Sequence, residues 1–333
     1  MKISRWRAAG KSSIRRDKTI ISARLPRGKP RGIRSLKDSM AFLFLFVDGL
    51  GMGDRDTSKN PCAAPGIRHL ACFRGDTAGA ACGCVQTDAN LDTPGLPQSA
   101  TGQTALFSGI HSAGRIGRHL AAFPNQELRD ILKEHSLLKR LHGMGKKTVF
   151  WNAYRPVFFN LPDEKKWRLS ATTVANLAAG LPFRTLADLR NEKALYHDMT
   201  NESLLQRGFD VALFTIEQAA GILAAALLDY DFILYEYFLT DHAGHSQDFG
   251  SAAAEIRKLD RFLDSLLPGI RPEDTVLLTS DHGNIDDLSV KTHTRNPVMT
   301  RIWGQGRDFL KPRIRSILDV TPAVIDWVRT ADP

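Results

Sequence analysis

Seven residues of the types that bind metal ions or act as nucleophiles are spread over almost 250 positions of the chain. They are Asp48, Ser99, Asp241, His245, Asp281, His282 and His293. Three carboxylates and three imidazoles supply enough ligands for two divalent cations. A serine beside such ions can act as a nucleophile without a neighbouring base, because a bound metal can activate it. This set of side chains predicts metal-assisted chemistry.

Each acidic candidate follows an apolar run with the length of a buried strand. The runs and their acidic residues are 42–47 with Asp48, 232–239 with Asp241, and 275–279 with Asp281. In a parallel α/β sheet the carboxyl ends of the strands share one edge, where such folds bind ligands. A single histidine is more often an ordinary surface or core residue. The common position of these candidates after strands reverses that expectation.

Ser99 opens a segment with helical character, and we expect it at or near the N-cap of that helix. A serine there is most often only a cap. The helix dipole and free backbone N–H groups would also stabilise negative charge on an alkoxide or a phosphoryl oxygen. The sequence has no Gly-x-Ser-x-Gly motif or triad pattern, which disfavours hydrolase chemistry of that type.

The alternation of strand-like and helix-like segments predicts an α/β fold, with a mostly parallel sheet sandwiched by helices. Besides the three runs, the expected elements are a strand at 148–151 and helices at 137–141, 216–228, 254–267 and roughly 320–328. Residues 40–152 and 211–333 would form this core. Residues 153–210 lack a clear strand–helix repeat, and we interpret them as a small inserted cap.

The net charge of +9 belongs to the N-terminal segment. Residues 1–40 contain 13 Lys or Arg and 2 acidic residues, whereas the rest holds 32 basic and 34 acidic residues. Residues 1–39 have no sustained apolar period, so we predict a disordered basic tail. That tail could contact nucleic acid, which is the one feature favouring a nucleic-acid-binding protein over an enzyme.

Cysteine and hydropathy patterns favour a cytoplasmic protein without a membrane segment. All four cysteines, Cys62, Cys72, Cys82 and Cys84, fall within one window of 23 residues. A secreted protein of this size stabilised by disulfides would spread them more widely, so reduced thiols are expected. No apolar run is long enough to span a bilayer.

As an ordered set, these residues resemble the alkaline phosphatase superfamily, and within it the branch with cofactor-independent phosphoglycerate mutase and phosphopentomutase. The motifs are VDGLG at 47–51, SATGQ at 99–103 with Gly109 ten residues after Ser99, DHAGH at 241–245, TSDHGN at 279–284, THTRNPV at 292–298 and LDVTP at 318–322. The resemblance covers about 40–152 and 211–333, and its ordered motifs are highly specific.

The resemblance implies two metal ions, usually zinc or manganese, and a serine nucleophile. By this likeness Asp48, Ser99, Asp281 and His282 hold one ion, and Asp241, His245 and His293 hold the other. Ser99 would attack phosphorus to form a phosphoserine, which water or a second substrate hydroxyl then resolves.

Two departures from the family pattern limit this interpretation. The insert of about 58 residues is far smaller than the cap of the bacterial phosphoglycerate mutase, whose arginines hold the substrate during re-transfer. Gln103 stands where the mutases tend to carry a histidine. A sulfatase is disfavoured, because Thr101 and Gln103 occupy positions of the sulfatase signature.

The leading hypothesis is a phosphoryl-transfer enzyme with two metal ions that acts on a small phosphorylated substrate such as a phosphomonoester. A phosphosugar or phosphoglycerate mutase remains the alternative within enzymes. Arginines that could clamp the substrate phosphate by their forked N–H groups are Arg115, Arg118, Arg155 and Arg295. We prefer Arg295, two residues after a proposed ligand, together with Arg155.

Overall fold

The computed structural model describes residues 40–76 and 84–330, so the predicted basic tail at 1–39 lies outside the described residues. The strands within these ranges are β1 (Phe42–Val47), β2 (Val85–Thr87), β3 (Thr148–Phe150), β4 (Ala153–Tyr154), β5 (Arg184–Thr185), β6 (Phe232–Tyr237), β7 (Thr275–Thr279) and β8 (Val298–Gly304). Six of them form one sheet in the order β2-β8-β7-β1-β6-β3. Neighbouring strands among β7, β1, β6 and β3 are parallel, and β8 runs antiparallel to β7 and β2.

The helices of the described ranges are α1 (Ser99–Ser108), α2 (Ser112–Ile116), α3 (Gln126–His135), α4 (Leu137–Gly143), α5 (Pro156–Phe159), α6 (Asp163–Lys166), α7 (Ala171–Ala178), α8 (Leu186–Arg190), α9 (Glu202–Gln206), α10 (Ile216–Ala226), α11 (Leu239–Ser246), α12 (Phe249–Leu266), α13 (Arg307–Leu310) and α14 (Ile317–Thr330). The predicted α/β class, with a mostly parallel sheet and flanking helices, is confirmed.

Strand β1 explains why helices cover both faces of the sheet. Its six residues are all buried, and their side chains alternate between two hydrophobic clusters. Leu43 and Leu45 pack with apolar residues of α10 and α12, whereas Phe44 and Phe46 pack with residues of α1 and α14. A continuous apolar run is the pattern expected of a strand buried on both faces.

The predicted helices form, with boundaries that differ where capping was not recognised. Helix α12 begins at Phe249, five residues before the predicted start, because the Asp248 carboxylate accepts a hydrogen bond from the N–H of Gly250 at 3.1 Å. Strand β6 ends at Tyr237 rather than at 239, since Phe238 already serves as the N-cap of α11. Helix α14 begins at Ile317, three residues before the predicted start.

The insert at 153–210 contributes no strand to the main sheet. It contains helices α5–α9 and the parallel pair of β4 and β5, with Ala153 opposite Arg184. Its helices also contribute to the core, because Val174 of α7 packs in the same cluster as Phe44, and Leu189 of α8 packs in the same cluster as Leu43. We therefore describe 153–210 as an insert partly built into the core, and its role as a cap stays a prediction.

The prediction of reduced thiols is wrong for two cysteines. Cys72 and Cys84 form a disulfide bond, with their Cα atoms 6.5 Å apart, while Cys62 is a buried free thiol. Spacing alone could not reveal this pair, because contact between the two residues depends on the path of the chain in three dimensions. Cys82 lies outside the described residues. The cytoplasmic location, which rested on reduced thiols, stays a prediction.

The part of the chain that the structure describes includes no helix with both the length and the apolar character needed to cross a membrane.

Candidate active site

The carboxyl ends of three adjacent strands bring the acidic candidates together. Asp48 directly follows β1, Asp281 lies two residues after β7, and Asp241 lies in the first turn of α11 after β6. Gly49 allows the close approach of β1 to α11. Its φ of +72° is unfavourable for other residues, and a Cβ atom there would lie 2.9 Å from Oδ1 of Asp241.

Asp48, Asp281 and His282 form one group of possible metal ligands, which we call the Asp48 group. Nε2 of His282 lies 3.3 Å from Oδ1 of Asp48 and 3.5 Å from Oδ2 of Asp281. All three residues are buried. The ligand atoms all lie within 4.8 Å of one another, as a shared cation requires.

Asp241, His245 and His293 form a second group, which we call the Asp241 group. Oδ2 of Asp241 lies 3.4 Å from Nε2 of His245, and Oδ1 of Asp241 lies 3.6 Å from Nε2 of His293. The other ring nitrogen of His293 lies 2.7 Å from the carbonyl oxygen of Pro97, which fixes the ring. The rings of His282 and His293 stack with centroids 3.8 Å apart, so the two groups are adjacent.

Ser99 lies beside the Asp48 group as the first residue of α1, and Gln98 is the N-cap. Its Oγ is 3.0 Å from Nε2 of His282. The other hydroxyls of this turn point into the helix: Oγ1 of Thr101 donates to the carbonyl oxygen of Gln98, and Oγ1 of Thr104 donates to that of Ala100. Ser99 therefore offers the free hydroxyl at this end of α1.

The spacing of ten positions from Ser99 to Gly109 reflects the packing of α1. The helix ends at Gly109, whose φ is +74°, in the left-handed region. A Cβ atom at this position would lie 2.8 Å from Cδ of Pro322 in α14. The glycine thus fixes the distance between the buried end of α1 and the serine at its N-terminus.

Burial gives the Asp48 group unusual acid–base properties. It raises the pKa of Asp48 well above the ordinary value, and the charges of Asp281 and Asp241 raise it further. Burial, followed by the charge of Asp241, raises the pKa of Asp281 to about 8. The pKa of His282 is lowered well below its usual range, chiefly because burial disfavours the imidazolium.

These residues fit a divalent cation. Oδ1 of Asp48 and both carboxylate oxygens of Asp281 are buried without a hydrogen-bond partner among the described residues. Within the same ranges no lysine or arginine forms an ion pair with either aspartate. Buried carboxylates without a counter-charge are strongly unfavourable, and a bound metal ion supplies that charge. The two groups therefore imply divalent metals.

Three further residues support the ligands and were not predicted as site residues. Nε2 of Gln103 donates to Oδ2 of Asp48 at 3.0 Å, and Nδ2 of Asn284 donates to Oδ1 of Asp241 at 2.7 Å. The buried Asp286 carboxylate accepts hydrogen bonds from Thr294 and Asn296, which follow His293. Gln103 and Asn284 belong to motifs quoted above, whereas nothing in the sequence distinguishes Asp286.

A cavity of about 630 Å³ opens beside these groups, between the main sheet and the insert. Asp48, Ser99 and Asp241 line it, and so does Arg155. Arg295 does not belong to this lining. Its side chain is exposed, and its carbonyl oxygen accepts a hydrogen bond from Asn90 at 3.1 Å. The structure thus brings Arg155, but not Arg295, to the cavity.

Comparisons with known proteins agree with this geometry. A sequence model of the metalloenzyme superfamily matches residues 210–329. The chain is 28% identical to phosphopentomutase of Methylobacterium radiotolerans over 268 residues, which are 74% of this chain and 61% of that protein. It is 38% identical to the 2,3-bisphosphoglycerate-independent phosphoglycerate mutase of Methanopyrus kandleri over 90 residues, which are 26% of this chain and 21% of the relative.

Solved structures share the fold. The alkaline phosphatase of the Antarctic bacterium TAB5 superposes with a TM-score of 0.52 at 14% identity, over 89% of this chain and 100% of that chain. Phosphoglycerate mutase of Leishmania mexicana gives a TM-score of 0.52 at 10% identity, over 87% and 95% of the two chains. The chain is similar to metalloenzymes of the alkaline phosphatase superfamily, as the match over residues 210–329 and the likeness to the two relatives support, and it shares the fold of the two solved structures. The chain matches about three fifths of the length of the phosphopentomutase and about a fifth of the length of the phosphoglycerate mutase.

Replacing Asp241 or His293 by alanine is expected to lower activity by about a hundredfold or more while the fold survives. Each change removes a ligand of the Asp241 group without opening a large apolar cavity. Activity, metal content and thermal unfolding should be measured together. His142→Ala, at the exposed end of α4, is the control and should leave all three unchanged. Unfolding of either variant in the presence of metal would show that the residue is structural.

Proposed function

We propose that the protein is a phosphoryl-transfer enzyme that hydrolyses phosphomonoesters, with Ser99 as its nucleophile. The observation that carries the proposal is a serine hydroxyl at a helix N-terminus, 3.0 Å from a buried group of metal ligands and facing a cavity. The superfamily assignment supports the same chemistry, since both phosphomutases and phosphatases occur among the related proteins.

In the proposed reaction, Oγ of Ser99 attacks the phosphorus of the ester. The new Oγ–P bond forms as the ester P–O bond breaks, and the alcohol leaves. Water then attacks the phosphoserine, the Oγ–P bond breaks, and inorganic phosphate is released. The overall change is ester plus water to alcohol plus phosphate.

The chain's own residues would favour this reaction in three ways. The N-terminus of α1 stabilises negative charge on Oγ of Ser99 and on the phosphoryl oxygens nearest to it. Gln103 holds the Asp48 carboxylate, and Asn284 holds that of Asp241, so the two groups keep their geometry without substrate. Arg155 is available from the cavity wall for a phosphate oxygen.

The two groups would hold one divalent cation each, as zinc or manganese. Such ions would supply Lewis-acid stabilisation of the phosphoryl oxygens and would lower the pKa of the Ser99 hydroxyl. Mixed carboxylate and imidazole ligands suit either metal.

Protein reconstituted with zinc or with manganese is expected to bind two divalent cations per chain and to release phosphate from phosphomonoesters. Six ligands besides Ser99 are too many for one tetrahedral ion and sufficient for two with positions open to substrate. Elemental analysis gives the stoichiometry, and a panel of phosphomonoesters and phosphodiesters gives the activity. One ion or none after reconstitution with each metal, or no hydrolysis of any ester, would refute the proposal.

A mutase is the second candidate, favoured by the likeness to phosphopentomutase over 74% of the chain. A mutase must keep its dephosphorylated intermediate bound while the phosphoserine transfers phosphate back. The cavity argues for hydrolysis, because Arg155 is the only lysine or arginine among the described residues that line it. Incubation with ribose 1-phosphate distinguishes the two, since a mutase yields ribose 5-phosphate and a hydrolase yields free ribose.

A further inference from the structure

We propose that the alcohol part of the substrate is uncharged and apolar, of about the size of an aromatic ring, and binds in the cavity between the insert and the main sheet. This inference rests on the proposed function for the identity of the reacting group. It adds a second subsite, formed largely by residues outside the motifs that define the superfamily.

The walls of the cavity beyond the proposed metal ligands are mainly apolar and aromatic. On the insert side, Tyr154 and Phe158 lie with ring centroids 4.4 Å apart. The Tyr154 hydroxyl lies 2.6 Å from Oγ1 of Thr173, so its polar end already has a partner within the protein. Phe238, which directly follows β6, and His197 of the insert also line the cavity, with ring centroids 4.6 Å apart.

The rim carries apolar side chains that water would otherwise contact. Phe123 is 56% exposed and Val157 is 58% exposed, and both line the cavity. A cavity of about 630 Å³ is far larger than a phosphate group needs and falls in the ordinary size range of organic-ligand sites. Covering exposed apolar surface with an apolar ligand is favourable because it removes that surface from water. A strongly hydrated sugar would leave the apolar side chains of the rim in contact with water.

The charges of the lining argue against a second anionic group on the substrate. Arg155 is the only lysine or arginine among the described lining residues, and burial lowers the pKa of His197 to about 4, which keeps its ring neutral near pH 7. His242 also lines the cavity, with its ring centroid 5.5 Å from that of Phe238. The carboxyl group of Glu236 lies in the same wall. A second phosphate or carboxylate on the substrate would therefore find only the positive charge of Arg155 to neutralise it, beside the carboxyl group of Glu236.

The test compares two monoesters of primary alcohols, 2-phenylethyl phosphate and glycerol 1-phosphate, on metal-reconstituted full-length protein. Because the two alcohols have similar acidity, the comparison reports on binding of the organic group rather than on the leaving group. We expect kcat/KM to be at least about tenfold higher for the phenylethyl ester, since burial of one ring favours binding by that factor or more. Calorimetry measures the binding affinities of 2-phenylethylphosphonate and 2-hydroxyethylphosphonate. It gives the same comparison without turnover, because a phosphonate has no ester bond to break.

Variants of the rim residues test whether the preference for the phenylethyl ester arises in the cavity. The double variant Phe123→Ser, Val157→Ser should reduce the ratio of the two kcat/KM values at least about threefold. Both side chains are exposed, so the change does not open a hole in the core. Leu213→Ser is the matched control, because Leu213 is 57% exposed but lies outside the lining, and it should keep the ratio.

Each outcome decides either the subsite or the reaction. Equal or lower kcat/KM for the phenylethyl ester, or an unchanged ratio in the rim variant, overturns the inference and leaves the proposed hydrolase intact. If no phosphomonoester is hydrolysed, the proposed function fails, and the phosphonate affinities then decide the subsite alone. Equal affinity for the two phosphonates would overturn it.

Discussion

Replacing Ser99 by alanine is expected to abolish turnover of a good phosphomonoester, with kcat reduced by about a thousandfold or more. Metal content should remain nearly intact, because the six residues of the Asp48 and Asp241 groups are unchanged. The expected loss is large because the variant lacks the Ser99 hydroxyl that would form the covalent intermediate, and the Thr101 hydroxyl of the same turn donates to the carbonyl oxygen of Gln98. Steady-state kinetics and elemental analysis on the same preparation test both parts of the prediction.

The wild-type protein, quenched in acid during turnover, should carry one phosphate on the peptide that contains Ser99, because phosphoserine is stable at low pH. Thr104→Val is the control, since Oγ1 of Thr104 donates to the carbonyl oxygen of Ala100 within α1, and valine keeps its shape. This variant should label and turn over normally. Phosphate on Thr101 or Thr104 would contradict the assignment. Activity retained in Ser99→Ala, with no label in the wild type, would favour direct attack by an activated water.

Replacing Asp281 by asparagine is expected to have opposite effects on stability with and without metal. In the metal-free protein the change removes a buried carboxylate without a counter-charge. The free energy of unfolding at pH 8 should therefore rise by at least about 2 kcal/mol. In the presence of zinc or manganese the wild type should be the more stable protein, because bound metal stabilises the folded state and the variant lacks one ligand. Activity should fall by about a hundredfold or more.

The pH dependence of the stability of the metal-free protein follows from the carboxyl group of Asp281. The pKa of this carboxyl is raised from 3.8 to about 8 in the folded state, so the folded protein binds a proton that the unfolded chain has released. The stability contribution of this group is full below about pH 4 and is lost as the pH rises through about 8. Asp48, whose pKa is also raised, adds to the same slope.

Chemical denaturation in the presence of a chelator, at pH 5 and pH 8, measures this slope. The loss of stability between the two pH values should be smaller in Asp281→Asn than in the wild type. Asp56→Asn is the matched control, since Asp56 lies outside the core and hydrogen bonds from Ser58 lower its pKa. It should leave the slope unchanged. Equal slopes in wild type and Asp281→Asn would mean that the carboxylate is neutralised by another group in the metal-free protein.

Much of the fold could be predicted because its signals are local. The apolar run at 42–47 has the length and composition of a strand buried on both faces, and β1 occupies those residues. The order of strands and helices then required a mostly parallel sheet. Helix starts were less predictable, as α12 shows, because a cap such as Asp248 is one polar residue among many.

The sequence by itself determined which residues could do the chemistry, because an acidic residue just after a buried strand can be recognised without knowing the neighbours of that strand. Only the tertiary structure decided how they combine. The order β7-β1-β6 brings Asp281, Asp48 and Asp241 to one edge, and packing of α1 brings Ser99 beside His282. It also placed Arg155, but not Arg295, in the cavity wall, and it paired Cys72 with Cys84. Such contacts join residues far apart in the chain, and hydrophobic periodicity carries no information about them.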